Sequence, residues 1–408
     1  MNKDRENILN IYLAGLEAVK GDNAVYQALM ASGDLPACHI VAIGKAAEAM
    51  YQGAKRYLDG DVSSVFMISK FGHYSAEVLA DPQVVALEAA HPVPGESSLL
   101  AGQMLLEHLQ KLPAGEPCLF LISGGASSVC EVPGEGWTLE DLQELTQDLL
   151  SDGFSIHEMN AIRRRVSSIK GGKLWRYIGE RPVRALLISD VEGDVPASIG
   201  SGLLFPPEED DVSEQLLGQM AEKWRERLPA FETLSVPNDF RWQIVASNQM
   251  ALAAMQQKAM ELGYKVETVP RFLNGPAVHV AHVCVAELRD TDADMLLWGG
   301  ETTVALPEQA GRGGRNQHFA LAAALEIEGQ DMMIFAAGTD GSDGMSEDAG
   351  ALVSGKTCTK GRAVDKHPEE SLQRADSGNF LEACGDLIYT GPTGTNVMDV
   401  VIGLKQKV

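Results

Sequence analysis

Six apolar runs of strand length constrain this chain most, because each ends at a small residue and is followed by a polar, charged or glycine-rich corner. Continuous apolar runs separated by helical patterns are typical of parallel strands buried on both faces of a sheet. Such sheets bind ligands at the carboxyl ends of their strands. The sequence therefore predicts a cleft lined by the residues that follow the runs, namely Lys45, Gly124, Gly125, Asp190, Asn248, Glu301, Thr339 and Asp340.

The order of the periodic patterns predicts an α/β protein. Strands are expected at 39–44, 63–69, 118–123, 183–189, 241–247, 265–269, 294–300, 332–338 and 350–354, with a last apolar strand at the end of the chain. Helical patterns cover 6–20, 98–111, 138–151, 156–178, 211–227, 249–262, 275–289 and 315–326. This alternation indicates a Rossmann-like wound parallel sheet in the N-terminal half. Thr138, with Asp141 three positions later, predicts a helix start at that point.

The length and composition of the chain suit two α/β domains. With 408 residues, 45% of them hydrophobic, the chain is too long for one small core. The segment 228–240 is rich in proline and poorly periodic, which is typical of a boundary. We therefore predict an N-terminal domain over 1–235 and a C-terminal α/β domain over 236–408.

Targeting and redox signals favour a soluble cytoplasmic protein. The apolar stretches end well before membrane-spanning length, and the charged N-terminus is not followed by the apolar core of a signal sequence. Six cysteines are scattered without a CxxC pair. This pattern supports neither a disulfide framework nor a zinc site.

The formal net charge of −24 disfavours binding to nucleic acids or to anionic membranes. An anionic small substrate would need a local cationic site. One candidate is the run Arg163, Arg164, Arg165, Lys170, Lys173 and Arg176. The alternative interpretation of this run is a solvated helix face.

The segment 299–317 carries the sharpest chemical pattern. Gly313 and Gly314 precede a helix that is expected to begin at Arg315 or Asn316. A helix N-terminus preceded by glycines binds anions, and an arginine there adds a cationic fork. The alternative is a flexible hairpin loop.

A second corner follows the strand at 118–123. Gly124 and Gly125 leave the strand, and Ser127 can cap the next element, an arrangement that suits phosphate or carboxylate. Lys45 follows another strand, where its flexible ammonium group can reach phosphate oxygens. A lysine alone at such a corner is more often a solvated surface residue.

Carboxylates follow two of the strands. Asp190 and Asp340 stand at strand ends, where they can hold Mg²⁺ or accept a proton from a hydroxyl group. An acidic turn is the alternative for each of them. Residues 350–357 match the phosphate-loop pattern GxxxxGK[ST], but their apolar residues lie inside the match, so we predict a strand at 350–354 followed by a turn.

Two further segments are candidates for ligand contacts. Helical spacing places Asn160, Arg164, Ser167 and Gly171 on one face of the helix that begins at 156. Near the C-terminus, a Gly/Thr/Asn loop ends with Asn396 before the last apolar strand. Loops at such positions often carry binding residues.

Taken together, these motifs resemble the glycerate 2-kinase family, whose C-terminal half is called the MOFRL domain. The similarity runs in order over nearly the whole chain through AIGKAAEAM, HPVPGESS, LISGGASSV, EMNAIRRRVSSIKGGKL, SDVEGDVPASIGSG, ASNQMALAA, GGETTV, GRGGRNQ, GTDGSDG and TGPTGTNVMDV. Ten ordered motifs are far more specific than one glycine-rich match.

The resemblance implies a two-domain enzyme with a C-terminal mixed sheet and an active site in the interdomain cleft. It implies phosphorylation of D-glycerate to 2-phosphoglycerate with ATP and Mg²⁺, with Lys45 and Arg315 as the principal catalytic cations. We add Asp190 as base or metal ligand and Asp340 as a second metal ligand. The expected substrate and nucleotide contacts are Gly124, Gly125, Ser127, Asn160, Arg164, Ser167, Glu301, Gly313, Gly314, Asn316, Thr339, Asp340 and Asn396.

The chain departs from the usual family pattern at Ala126, Arg165, Leu203, His318 and Met345. Lys45 and Arg315 are kept, so phosphoryl transfer is expected, while the acceptor can be D-glycerate or a related small hydroxy acid. The sequence leaves open which loop holds ATP and whether the chain forms a homodimer.

Two other functions are weighed against the kinase. A nicotinamide-dependent hydroxypyruvate reductase would need a GxGxxG turn after a strand and an acidic residue about twenty positions later, and this pattern is absent. A catalytically silent sensor of a phosphorylated acid is disfavoured because both cations are retained.

Overall fold

The computed structural model describes residues 3–33 and 35–406. The helices, in chain order, are α1 (Lys3–Val19), α2 (Gly21–Ser32), α3 (Ala47–Tyr57), α4 (Ala76–Ala80), α5 (Glu96–Lys111), α6 (Ala126–Val129), α7 (Leu139–Ser151), α8 (Ile156–Val166), α9 (Trp175–Ile178), α10 (Glu214–Gln219), α11 (Glu222–Arg225), α12 (Asn248–Glu261), α13 (Ala277–Asp290), α14 (Arg315–Glu326), α15 (Thr357–Ala363), α16 (Pro368–Gln373) and α17 (Ser377–Cys384). The strands are β1 (Cys38–Ile43), β2 (Val62–Lys70), β3 (Val84–Ala89), β4 (Cys118–Ile122), β5 (Val183–Ile188), β6 (Arg241–Ala246), β7 (Val266–Thr268), β8 (Leu273–Pro276), β9 (Met295–Thr303), β10 (Met332–Gly338), β11 (Gly350–Ser354), β12 (Leu387–Ile388) and β13 (Asp399–Lys405).

The first sheet has the strand order β3-β2-β1-β4-β5-β6. The pairs β3–β2, β2–β1, β1–β4 and β4–β5 are parallel. Every residue of β1 and β4 is buried, as a strand with helices on both faces requires. The predicted wound α/β architecture is confirmed for this half, and β3 and α2 are elements that the sequence patterns did not identify.

The second sheet is mixed, with the order β12-β11-β10-β13-β9-β7 and β8 paired to β9. The C-terminal strand β13 lies between β9 and β10 and runs antiparallel to both. The mixed sheet that the resemblance implied for this half is confirmed. The expectation of purely parallel pairing for the apolar runs is wrong here, because β9 and β10 each pair antiparallel with β13. An apolar run reports burial, but it carries no information on the direction of the neighbouring strand.

The chain divides into two compact units, one of Gly21–Val245 and one of Met1–Lys20 together with Ala246–Val408. In the second unit, Ile8, Ile11 and Tyr12 of α1 pack in the same buried cluster as Met255 and Leu297. The domains 1–235 and 236–408 remain a prediction, and the compact units differ from them in the grouping of α1.

Two predicted helices are shorter in the structure. The expected helix 156–178 is divided because α8 ends at Val166 and Ser167 is extended. The ammonium group of Lys173 donates hydrogen bonds to the carbonyl oxygens of Arg164, Arg165 and Ser167, which gives these groups at the helix end a partner. The expected helix 211–227 is replaced by the short helices α10 and α11.

Other local predictions are confirmed. The hydroxyl group of Thr138 accepts a hydrogen bond from Asp141 N at 3.2 Å, and the Asp141 carboxylate accepts one from Thr138 N at 2.9 Å, which completes a capping box. Residues 350–354 form β11, although the short helix α15 follows where only a turn was expected. Within the described ranges, no helix is long and apolar enough to cross a membrane.

Candidate active site

Lys45 lies at the corner between β1 and α3 and contacts the corner that follows β4. Its amide donates to Gly124 O at 2.9 Å, and Ala46 N donates to the Ser123 hydroxyl at 3.0 Å. Ser123 N in turn donates to Ile43 O. The structure thus brings together Lys45 and the glycine pair at the carboxyl ends of neighbouring parallel strands.

Two residues that sequence reasoning did not select complete this corner. A methyl group built on Gly125 would meet the imidazole ring of His91 at 3.3 Å, so the ring lies directly against this turn. Ser201 donates a hydrogen bond from its hydroxyl to that of Ser127 at 2.9 Å. Both residues lie in segments that resemble the family, but no residue pattern linked them to the glycine turn.

Asp190 stands shortly after β5, beyond the end that pairs with β4. The register places Leu187 beside Ile122, so Asp190 is at the same sheet edge as Gly124. Its role as base or metal ligand stays a prediction.

The predicted helical face of Asn160, Arg164, Ser167 and Gly171 forms only in part, because only Asn160 and Arg164 lie within α8. Because α8 ends at Val166, Ser167 leaves the helix, and its buried hydroxyl donates to Glu131 Oε1 at 2.6 Å. The guanidinium group of Arg164 forms an ion pair with Asp211. Ser167 and Gly171 therefore lie outside the helix on which the common face was predicted, and the binding roles of these residues stay predictions.

The cationic run is largely paired within its own unit. Lys170 is fully buried and forms an ion pair with Glu131. Burial is the main cause that lowers the pKa of Lys170, to about 8. Arg165 pairs with Asp210, and Arg176 pairs with Glu232, so the acidic segments supply the counter-charges.

In the other unit, Arg315 is the first residue of α14 and meets the ends of the mixed sheet. Asp399 Oδ2 accepts a hydrogen bond from Arg315 Nε at 2.6 Å, and Oδ1 accepts one from Nη2 at 3.0 Å. Glu301 Oε1 lies 2.9 Å from Nη1. Burial alone would lower the pKa of Arg315. The carboxylates of Asp399 and Glu301 raise this pKa by more than burial lowers it, so the net pKa lies above its usual value.

The N-terminus of α14 already has a carboxyl partner within the chain. Asp343 Oδ1 accepts from Asn316 N at 3.0 Å, and Oδ2 accepts from Gln317 N at 2.8 Å. A methyl group on Gly314 would lie 2.3 Å from the Asp343 carboxyl group, so this glycine admits the carboxylate. An external phosphate at these two amides would have to compete with Asp343, and phosphate binding by Gly313, Gly314 and Asn316 stays a prediction.

The loop after β10 is held by Thr339. Its hydroxyl donates to Met398 O at 2.7 Å and accepts from Val397 N at 2.8 Å. The carboxylate of Asp340 accepts from Ser342 N at 3.0 Å. Thr339 and the buried Asn396 thus belong to the loops that bring Asp340 and Asp399 to one end of the sheet.

Asp399 and Asp343 are the residues of this unit that sequence reasoning missed as site residues. Asp399 precedes the last apolar run, and Asp343 lies between glycines, so both stand at element ends. No residue spacing connects either of them with Arg315. In the described part of the chain, no group of three or more His, Cys, Asp or Glu residues is arranged to hold a metal ion by itself.

Comparisons with known proteins identify the family. A family described as "Domain of unknown function (DUF4147)" matches residues 7–227, and the MOFRL family matches residues 294–399. A D-glycerate 2-kinase of Thermotoga maritima is 34% identical over 97% of both chains. The chain belongs to the glycerate 2-kinase family.

Two further similarities are a relative with a different description and a solved crystal structure. A putative hydroxypyruvate reductase of Agrobacterium vitis is 33% identical over 89% of this chain and 98% of that protein. A crystal structure of a glycerate kinase from Thermotoga maritima superposes with a TM-score of 0.85 at 33% identity and covers all of both chains. The predicted family and α/β fold class are confirmed.

Proposed function

We propose that this chain transfers a phosphoryl group from ATP to the 2-hydroxyl group of D-glycerate or of a closely related small hydroxy acid. The observation that carries the proposal is the similarity of the whole chain to a D-glycerate 2-kinase, together with Lys45 at the corner after β1 and Arg315 at the start of α14. Phosphoryl transfer requires positioning and compensation of charge more than covalent catalysis. These requirements suit two cationic side chains that lie next to polar backbone segments.

The proposed roles follow from the chemistry of the side chains. The Lys45 ammonium group and the Arg315 guanidinium group would compensate the negative charge that develops on the transferred phosphoryl oxygens. Asp190 would accept the proton of the acceptor hydroxyl group or contact the metal. Gly124, Gly125 and Ser127 would bind phosphate or carboxylate through backbone and hydroxyl groups.

The carboxylates of this chain suit Mg²⁺ that is bound together with ATP. Magnesium is typically bound by one or two carboxylates together with substrate phosphates and water, so it does not need a complete protein cage. Asp190 and Asp340 are each a candidate for such a carboxylate. Mg²⁺ would supply positive charge that offsets the charge of the phosphates, while the residues of this chain would bind and orient the substrates.

A coupled assay of ADP release with D-glycerate and ATP tests the proposal. Lys45→Ala and Arg315→Ala are each expected to lower kcat by at least about 100-fold with the fold preserved, because each removes a charge that stabilises the transition state. Lys111→Ala and Arg271→Ala, which remove more exposed cations, serve as matched controls. Absence of turnover by the wild-type chain with any small hydroxy acid would refute the kinase function.

The reductase is the second candidate because one relative carries that description. It predicts loss of NADH absorbance when hydroxypyruvate is added. The turn after β1 in this chain reads GKAAEA rather than GxGxxG. The same protein preparation tests both activities, and NADH oxidation without ADP release would favour the reductase.

A further inference from the structure

The guanidinium group of Arg315 is held from two sides by carboxylates of different character. Asp399 binds Nε and Nη2 in a bidentate pair, at 2.6 Å and 3.0 Å. Glu301 binds the remaining nitrogen, Nη1, at 2.9 Å. Two hydrogen bonds to Asp399 thus fix one edge of the guanidinium group, and a single ion-pair contact with Glu301 holds Nη1.

The two carboxylates differ in burial. The side chain of Asp399 is 4% exposed, whereas that of Glu301 is 45% exposed. Asp399 is the first residue of β13, where it pairs with Gly300 and Gly338, and its carbonyl oxygen accepts a hydrogen bond from the Asn248 amide at 3.0 Å. Asp399 is therefore held by the sheet, while Glu301 has access to solvent.

We propose that Asp399 is the positioning residue for Arg315, and that Glu301 holds Nη1 only until an anionic oxygen of a bound ligand replaces it. The ligand oxygen belongs to a carboxylate or a phosphate group. That this ligand is the hydroxy acid or ATP rests on the proposed kinase function.

The energetics of the two pairs support this division of roles. A bidentate, charge-assisted pair with a buried carboxylate fixes both the distance and the plane of the guanidinium group. Removing the partner of a buried charge is costly, so Asp399 stays in place. An exposed ion pair contributes little net free energy, so Glu301 can exchange its place for a ligand oxygen at low cost.

The positioning role is tested by Asp399→Asn in the full chain. We expect kcat to fall about 100-fold, because a small displacement of a catalytic group has effects of this size. Asp399→Glu should restore part of the activity, since it returns a carboxylate. The midpoint of thermal unfolding is measured for each variant to separate loss of activity from loss of fold.

A double-mutant cycle distinguishes positioning from a general structural role. If Asp399 acts through Arg315, Asp399→Asn should have a much smaller effect on kcat in an Arg315→Lys background, because the bidentate pair is already lost. An equal loss of kcat in both backgrounds would overturn the positioning role.

The role of Glu301 is tested by Glu301→Gln. Removing the competing charge should lower the KM for D-glycerate or for ATP by about fivefold, the scale of an exposed ion pair. The KM that falls identifies whether a carboxylate or a phosphate takes Nη1. Glu369→Gln is the control, because it removes another exposed carboxylate paired with an arginine, and it should change neither KM. If Glu301→Gln leaves both KM values unchanged, the proposed replacement of Glu301 by a ligand oxygen is wrong.

Calorimetric titration with inorganic phosphate and with D-glycerate separates this inference from the kinase proposal. Glu301→Gln should bind one of these two probes more tightly than the wild type, and Asp399→Asn should bind it more weakly. This pattern without ADP release would refute the kinase and retain the inference. ADP release by the wild type without this pattern would refute the inference and retain the kinase.

Discussion

At the scale of single residues, some charged side chains that the sequence suggested for ligand binding are instead paired with other side chains of the same chain. Lys170 belongs to a cationic run, yet its ammonium group is fully buried and pairs with Glu131, which also accepts a hydrogen bond from Ser167. Transfer of both charges from water is costly, and their attraction compensates only while both are present. This pair is therefore expected to affect stability rather than ligand binding.

Glu131→Gln is expected to lower the free energy of unfolding by about 3–5 kcal/mol, because it leaves a buried ammonium group without its counter-charge. Urea unfolding at neutral pH measures this loss. Glu144→Gln removes a carboxylate from a largely exposed pair with Lys223 and should cost less than about 1 kcal/mol. Similar small losses in both variants would contradict the buried pair.

The carboxyl group of Asp343 links stability to pH. Burial raises its pKa to about 7, although the amides of Asn316 and Gln317 oppose the rise. Because the folded pKa lies above the unfolded one, the folded state favours the protonated form of Asp343. The stabilisation that this preference gives is fully present below about pH 4 and is lost as pH rises through about 7. Asp343→Asn should flatten this part of the pH dependence.

Urea unfolding of the Asp343→Asn variant at a series of pH values between about 4 and 7 tests the sign. The exposed Glu347 lies in the same loop, and Glu347→Gln is the matched control. If Asp343→Asn and the wild type keep the same slope of unfolding free energy against pH, the buried carboxyl group does not titrate in this range.

At the scale of elements, the start of α14 shows how much a local pattern encodes. The glycines and the following apolar pattern predicted a helix at Arg315 or Asn316, and α14 begins at Arg315. The pattern also indicated an anion at the helix N-terminus, since the first amides lack partners within the helix. It did not reveal that Asp343, 27 positions later than Asn316, provides a carboxylate there.

Gly314→Ala is expected to destabilise the chain by about 1–3 kcal/mol, because its methyl group would overlap the Asp343 carboxyl group. Gly218→Ala is the matched control, since a methyl group at this helical position has no neighbour within 4 Å. The control should be neutral or stabilising by up to about 1 kcal/mol. Thermal unfolding compares the two, and an equal response would contradict the close approach.

At the scale of the whole molecule, the order of residues along the chain differs from their grouping in space. The helix α1 packs with β9, β10 and β13, and the Tyr12 hydroxyl donates to Gly338 O, 326 positions later, at 2.7 Å. The apolar face of α1 was visible in its periodicity. Its partner was not, because periodicity identifies the buried face but not the surface that covers it.

Ile11→Ala is expected to lower the free energy of unfolding by about 2–5 kcal/mol, because it leaves a cavity in the cluster around Met255 and Leu297. Leu13→Ala changes a residue of the same helix that is 52% exposed, so it should change stability by less than about 0.5 kcal/mol. Hydrogen exchange should increase in β9, β10 and β13 for Ile11→Ala. Faster exchange confined to β1, β4 and β5 would contradict the grouping of α1 with the second unit.

The sequence alone located the buried strands β1, β4, β5, β9 and β10, the starts of α7 and α14, and the corners that carry Lys45, Gly124 and Arg315. It missed β3 and wrongly predicted that β6 is buried along its whole length. The features that it located are local, because burial, capping and turn geometry depend on residues close together in the chain. Only the tertiary structure decided that β13 enters between β9 and β10 and that Asp399 thereby reaches Arg315. It also decided that Ser167 and Lys170 have an internal partner in Glu131, because contacts between distant segments depend on how whole elements pack.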